Sequence, residues 1–106
     1  MGFFDFLKQP DINAGINQYR ASPGAVLLDV RTPQEYCEGH IPGSVNIPLQ
    51  TLDKKGPGTD NKDVPLFVYC LSGGRSRQAA SLLKGMGYTR VTNLGGISAY
   101  TGRVEQ

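Results

Sequence analysis

Short apolar runs alternate along this chain with segments whose apolar residues recur at helical spacing. The runs have the length of strands and lie at residues 25–30, 44–47, 66–69 and 90–94. Helices are predicted at residues 12–19, 33–37, 49–52, 75–85 and 97–100. Strands that alternate with helices favour an α/β fold in which a central parallel sheet has helices on both faces.

Capping and turn residues mark the ends of several predicted elements. Asp11 is a suitable amino cap for the first helix. Thr32 is a suitable cap for the second helix, which has Pro33 at its first helical position. The charged residues 53–64 contain a Gly-Pro-Gly sequence and are predicted to form a surface loop. The glycine pair at residues 95–96 is predicted to form a tight turn.

Length and composition limit the possible classes of protein. The chain has 106 residues, and we expect a single domain over residues 1–106. Hydrophobic residues make up 39% and charged residues 19%, which is typical of a globular chain. A net charge of +2 without a run of Lys or Arg gives no indication of a nucleic-acid partner. No apolar run has the length of a membrane span and no signal-peptide pattern is present, so we expect a cytoplasmic location without membrane contact.

The first ten residues form an N-terminal extension that contains Phe3, Phe4 and Phe6. These side chains could contact a membrane or a partner. However, the segment has an acidic residue, Asp5, and only one basic residue, which is poor for an interfacial anchor. We therefore expect residues 1–10 to pack on the domain.

The candidate chemistry lies where a predicted strand ends in Cys70. The four residues that follow are Leu71, Ser72, Gly73 and Gly74. This loop would join the carboxyl end of a strand to the amino end of a helix, where unpaired N–H groups favour anions. The glycines allow an anion-binding nest, and Arg75 adds a positive charge. In such a nest we expect Cys70 to be a thiolate, with a pKa of roughly 3.5–7.5 rather than about 8.5.

Three blocks of sequence lie before, within and after this loop. They are LDVRTPQEY at residues 28–36 with GHIPGSVNIP at residues 39–48, CLSGGRS at residues 70–76, and NLGGI at residues 93–97. Together they resemble the rhodanese family, the thiosulfate-type sulfurtransferases, over residues 26–100. Tyr100 stands where family members often carry tryptophan, a difference that we expect to alter core packing and not chemistry.

The resemblance implies a two-step transfer of sulfur on Cys70. The Cys70 thiolate would take the outer sulfur of thiosulfate or of a persulfide donor, and a thiol or cyanide would then remove it from the resulting persulfide. Amide groups of residues 71–76 would stabilise both anionic forms. The hydroxyls of Ser72 and Ser76 would be either further donors or ordinary solvated and capping groups. This chemistry needs no metal and no cofactor.

Arg75 has two possible roles, between which the sequence does not choose. Its guanidinium could bind the sulfonate of the donor, or it could pair with Asp29 or Glu35 and brace the loop. Arg77 lies just inside the predicted helix and is expected to face solvent.

Four residues of the first block are expected to support the loop rather than to react: Asp29, Arg31, Glu35 and His40. Asp29 ends a buried strand and so needs a partner. His40 is a candidate general base, but its place in a glycine-flanked turn indicates a hydrogen bond that fixes the turn. Cys37 could act as a resolving thiol, although an incidental role is favoured. One histidine and two cysteines at these spacings do not indicate a metal site.

Three other functions compete with small-molecule sulfur transfer. They are a sulfur-relay carrier that receives persulfide from a protein, a regulatory or binding module, and a cysteine phosphatase with a similar loop. Four residues separate Cys70 from Arg75, whereas the related phosphatase loops have five, so phosphatase activity is disfavoured. The sequence leaves open the physiological donor, the acceptor and the oligomeric state.

Overall fold

The computed structural model describes residues 10–106, so the expected packing of the Phe-rich extension falls outside the described residues. The strands in this range are β1 Val26–Asp29, β2 Ser44–Asn46, β3 Leu66–Cys70 and β4 Val91–Gly96. The α-helices in this range are α1 Ile12–Arg20, α2 Pro33–Glu38, α3 Leu49–Lys55 and α4 Gly74–Gly85. A 3-10 helix, Ile97–Ala99, follows β4.

The four strands run parallel in one sheet, in the order β2-β1-β3-β4. Leu28 of β1 lies opposite Val68 of β3 at the centre of this sheet. Parallel strands end at the same edge, so Asp29 lies opposite Tyr69, the residue before Cys70. The predicted parallel sheet is confirmed, and it brings the first and second sequence blocks side by side.

Helices cover both faces of the sheet, as predicted. On one face, α3 and α4 pack on the strands through Leu52 and Leu83, which are fully buried. On the other face, α1 packs through Ile12 and Ile16. All of β3 is buried because its alternate side chains enter the two opposite clusters. The strand that carries the candidate cysteine is therefore the most buried of these four strands.

The predicted amino caps of α1 and α2 are both present. The Asp11 carboxylate accepts hydrogen bonds from two backbone N–H groups of α1 at 3.1 and 3.2 Å. Thr32 and Glu35 form a capping box: the Glu35 N–H donates to Thr32 Oγ1 at 3.2 Å, and the Thr32 N–H donates to Glu35 Oε1 at 2.9 Å. The capping box holds the Glu35 carboxylate at the start of α2.

Two helices differ in detail from the prediction. Residues 53–55 belong to α3 rather than to the surface loop, because Leu52 anchors the helix in the core. In α4, the helical spacing predicts a buried Leu82, but this side chain is only partly buried, whereas Ala80 is buried. The charged residues at the end of α3 favour a loop in the sequence, and the apolar side chain of Leu82 favours a buried position.

The predicted turn at residues 95–96 is wrong. Gly95 and Gly96 are the last residues of β4, where they pair with Tyr69 and Cys70 of β3 after a register shift that skips Leu94 of β4. The chain turns only afterwards, in the 3-10 helix. The glycine pair therefore runs alongside the end of β3.

Candidate active site

Cys70 is the last residue of β3 and begins the loop that leads into α4. It is 1% exposed. The backbone N–H of Gly73 donates a hydrogen bond to Cys70 Sγ at 3.0 Å. Gly73 has a φ of +112°, which residues with a Cβ rarely adopt, and this conformation lets the chain turn back toward the sulfur. The loop thus directs a backbone donor at the thiol.

The surroundings of Cys70 lower the pKa of its thiol below the ordinary value. Burial alone raises this pKa, because it removes water from the thiolate. Hydrogen bonds from the Ser76 hydroxyl and from the backbone N–H groups of Ser76, Gly73 and Arg75 oppose burial and together exceed it. The site therefore stabilises the thiolate, which is the reactive form of cysteine, relative to that of a cysteine in water.

The remaining loop residues differ in their exposure. Leu71, Ser72 and Gly74 are exposed, and Leu71 is 44% exposed. Ser76 is 0% exposed, and its Oγ lies 3.4 Å from Cys70 Sγ. Of the two candidate hydroxyls, that of Ser76 therefore reaches the sulfur from the interior.

Arg75 forms a bidentate ion pair with Glu35. Arg75 Nη1 donates to Glu35 Oε1 at 2.7 Å, and Arg75 Nη2 donates to Glu35 Oε2 at 3.0 Å. The hydrogen bonds from Arg75, with smaller ones from Thr32, outweigh burial and lower the pKa of Glu35 to about 2. The bracing contact is thus formed with Glu35 and not with Asp29, and it ties the start of α4 to the start of α2.

The second carboxylate at this edge, Asp29, pairs with Arg31. Arg31 Nε and Nη2 donate to both Asp29 oxygens at 2.7–3.1 Å. Asp29 is 0% exposed and Arg31 is 5% exposed, and a buried charge needs a partner of opposite charge. Arg31 Nη2 also donates to the carbonyl of Gly39 at 2.7 Å. The pair therefore fixes the chain between β1 and the turn before β2.

His40 makes its contacts within the turn. Its Nδ1 lies 2.8 Å from the carbonyl oxygen of Tyr36, and the two rings stack with their centroids 3.7 Å apart. The His40 backbone exchanges two hydrogen bonds of 2.8 Å with Glu105. The turn-fixing role of His40 stays a prediction, and these contacts are its structural basis. Cys37 on α2 and Arg77 on α4 are both exposed.

Gly96 allows β4 to approach the loop closely, a role that the sequence did not reveal. A Cβ at Gly96 would lie 2.3 Å from the carbonyl oxygen of Leu71 and 2.6 Å from Ser72 Cα. The Ser98 N–H donates to the same Leu71 carbonyl at 3.1 Å. The sequence feature that marks this role is the glycine pair that ends β4. The pair indicates a close approach to the loop only when β4 is known to pair with β3.

We expect Gly96→Ala to disturb the loop. Both clashing atoms belong to the backbone, so no side-chain rotation relieves the overlap. The expected effects are a destabilisation of about 1–3 kcal/mol, as for other overpacking substitutions, and a large loss of activity. Chemical denaturation and an assay of sulfur transfer measure the two effects. Gly85→Ala is the matched control, because nothing lies within 4 Å of its added Cβ. Equal behaviour of the two variants would contradict this role of Gly96.

Within residues 10–106, no group of three or more His, Cys, Asp and Glu side chains is placed to hold a metal ion. No helix in this range has both the length and the apolar character that crossing a membrane requires.

Known proteins of similar sequence and structure include a thiosulfate sulfurtransferase and a rhodanese. The chain is 39% identical over 71 residues to the thiosulfate sulfurtransferase PspE of Escherichia coli (strain K12), an alignment that covers 66% of this chain and 68% of that protein. The solved structure described as rhodanese with anions from E. coli has a TM-score of 0.72 and 34% identity, and the match covers 77% of this chain and 98% of that one.

Longer proteins contain a similar segment. The tRNA uridine(34) hydroxylase of Enterobacter sp. (strain 638) is 30% identical over an alignment of 108 positions, which covers 96% of this chain but only 30% of that protein. Residues 13–103 match the family described as the rhodanese-like domain. The chain therefore belongs to the rhodanese-like domain family.

Proposed function

We propose that this chain is a sulfurtransferase that carries a sulfane sulfur on Cys70. The observation that carries the proposal is the position of Cys70 Sγ, enclosed at a strand end with a backbone N–H at 3.0 Å and a lowered thiol pKa. The Cys70 thiolate attacks the outer sulfur of the donor, which is thiosulfate or a persulfide. The donor's S–S bond breaks, sulfite or a thiolate leaves, and Cys70 becomes a persulfide.

The second step returns the enzyme to its first state. A thiolate or cyanide attacks the terminal sulfur of the persulfide, and the Cys70 thiolate departs as the leaving group. The Cys70 thiolate and the Cys70 persulfide are both anions, so the backbone N–H groups of residues 71–76 stabilise both forms without rearrangement. Arg75 holds this loop in place through Glu35.

A protein-to-protein sulfur relay is the second candidate. Leu71 follows Cys70 directly and is 44% exposed, which suits contact with the surface of a protein donor or acceptor. The chemistry on Cys70 is the same in this case. A purely regulatory module is less favoured, because such a module has no use for a thiol with a lowered pKa. A free thiolate also fits a reducing compartment, so we propose a cytoplasmic location.

We expect the protein to turn over thiosulfate with cyanide and to leave aryl phosphates unhydrolysed. A phosphatase needs a general acid for the leaving oxygen. The carboxylates at this edge are ion-paired: Asp29 with Arg31, and Glu35, whose pKa is about 2, with Arg75. Glu35 is therefore ionised at neutral pH.

Thiocyanate formation and aryl phosphate hydrolysis are measured on one preparation, together with the Cys70→Ser variant. Cys70-dependent thiocyanate formation without phosphate release supports the proposal. Cys70-dependent phosphatase activity that exceeds sulfur transfer would replace it with the phosphatase assignment.

A further inference from the structure

Ser76 carries a buried hydroxyl that has several acceptors for a single proton. Its Oγ lies 3.1 Å from the carbonyl oxygen of Gly73, 3.3 Å from that of Gly95 and 3.4 Å from Cys70 Sγ. The residue is 0% exposed, so water does not compete for these contacts. A hydroxyl has one hydrogen to donate, and its direction depends on which acceptor is strongest.

The ionisation of Cys70 changes that choice. As a thiol, Cys70 Sγ donates to Ser76 Oγ, and the serine proton points to a backbone carbonyl. As a thiolate, Cys70 is only an acceptor, and a charged acceptor forms a stronger hydrogen bond than a neutral carbonyl. Rotation about one bond in Ser76 then supplies a donor to the thiolate without any movement of the backbone.

We propose that the Ser76 hydroxyl is a catalytic donor to Cys70 Sγ that acts mainly in the discharge of the persulfide. The inference rests on the proposed sulfur transfer through Cys70. During discharge the acceptor attacks the terminal sulfur, the S–S bond breaks, and its electron pair returns to Cys70 Sγ. The negative charge therefore grows on the atom that Ser76 Oγ faces. During loading, when Cys70 takes the sulfur from the donor, the negative charge leaves Sγ, and the breaking S–S bond delivers its electron pair to the departing sulfite or thiolate.

The two half-reactions should respond to this hydrogen bond in opposite ways. A thiol with a lower pKa leaves faster from a disulfide-type bond, whereas its thiolate is intrinsically a weaker nucleophile. The hydroxyl of Ser76 thus accelerates departure of the Cys70 thiolate. It aids loading only by increasing the fraction of thiolate, and that benefit disappears once the pH exceeds the thiol pKa.

A merely structural serine would behave differently. Ser76 is the third residue of α4, and its bond to Gly73 O is of a kind that serines commonly form at a helix start. Losing such a bond would change stability and would slow both half-reactions together. The charged groups at this edge, Arg75 with Glu35 and Asp29 with Arg31, are held in their own ion pairs and do not bond to the Ser76 hydroxyl.

The test measures the two half-reactions separately in the wild type, Ser76→Ala and the control Ser81→Ala, which removes an exposed hydroxyl from the same helix. Intact mass after mixing with thiosulfate gives the loading rate, and loss of the added sulfur after mixing with cyanide gives the discharge rate. Thiolate ultraviolet absorbance against pH gives the pKa of Cys70, with Cys37→Ser in every background.

We expect Ser76→Ala to slow discharge about tenfold, the value of one hydrogen bond to a charged group. The same loss should raise the pKa of Cys70 by about one unit. Loading above the raised pKa should be unchanged or faster. Ser81→Ala should match the wild type in all three measurements.

Two results for Ser76→Ala would overturn the inference. One is equal slowing of loading and discharge at a pH above the raised pKa of Cys70, and the other is an unchanged discharge rate. If Ser76→Ala does not fold, the isosteric pair Ser76→Thr and Ser76→Val isolates the hydroxyl, and equal discharge rates of these two would likewise overturn it. Failure of the wild type to gain sulfur at all would instead refute the proposed function.

Discussion

Replacing Cys70 by serine should abolish the transfer of sulfur from thiosulfate to cyanide, a loss of at least about a thousand-fold. A serine hydroxyl is a weak nucleophile at its ordinary pKa, and within residues 10–106 no basic side chain forms a hydrogen bond with Cys70 Sγ that could activate a hydroxyl there. The imidazole of His40, the candidate base, has its Nδ1 at 2.8 Å from the carbonyl oxygen of Tyr36 instead. Thiocyanate formation under saturating thiosulfate measures the loss.

The matched control is Cys37→Ser, which should keep most of the activity. Cys37 is exposed on α2, whereas Cys70 is buried in the loop that donates hydrogen bonds to its sulfur. Both substitutions exchange sulfur for oxygen, so they differ only in position. A Cys37→Ser protein as inactive as Cys70→Ser would show that Cys37 resolves or relays the persulfide.

Arg75→Ala should lower kcat/KM for thiosulfate by about a hundred-fold, and Arg77→Ala should lower it only slightly. The Arg75 pair with Glu35 is partly exposed, so its direct contribution to stability is small. Its importance lies in geometry, because it joins two helix starts and holds the loop that surrounds Cys70. Misplacement of a reacting group by about 1 Å is enough for a loss of this size. Steady-state kinetics of the two variants measure the difference.

Glu35→Gln separates the two roles of Arg75. If Arg75 acts by bracing the loop, removing the charge of its partner should reproduce most of the loss seen with Arg75→Ala. If Arg75 binds the donor's sulfonate, Glu35→Gln should free the guanidinium and lower KM for thiosulfate. The structure favours the first result, since both terminal nitrogens of Arg75 donate to Glu35. Equal losses of kcat/KM for Arg75→Ala and Arg77→Ala would contradict the expectation that Arg75 matters more than Arg77.

Features that depend on neighbouring residues were predictable from the sequence. The caps at Asp11 and Thr32, the course of β3 and the loop after Cys70 are all local, and the structure contains them. The parallel sheet also followed from the alternation of elements, because a strand and its parallel neighbour need a crossover between them.

Features that depend on distant residues were not predictable. Arg75 and Glu35 lie 40 positions apart, and either Asp29 or Glu35 was a reasonable partner until the strand order placed them. The sequence predicts a turn at Gly95 and Gly96, because a glycine pair favours turns and the close approach of Gly96 to Leu71 exists only once β4 pairs with β3. Ser76 was equally ambiguous, since burial of one side of α4 decides whether its hydroxyl meets solvent or Cys70.

Intact mass measured after incubation with thiosulfate and removal of small molecules is the most direct test of Cys70 as the sulfur carrier. The wild type and Cys37→Ser should each gain the mass of one sulfur atom, and cyanide should remove it. Cys70→Ser should gain nothing under the same conditions. A wild-type protein that gains no sulfur, or a Cys70→Ser protein that gains as much as the wild type, would contradict the account.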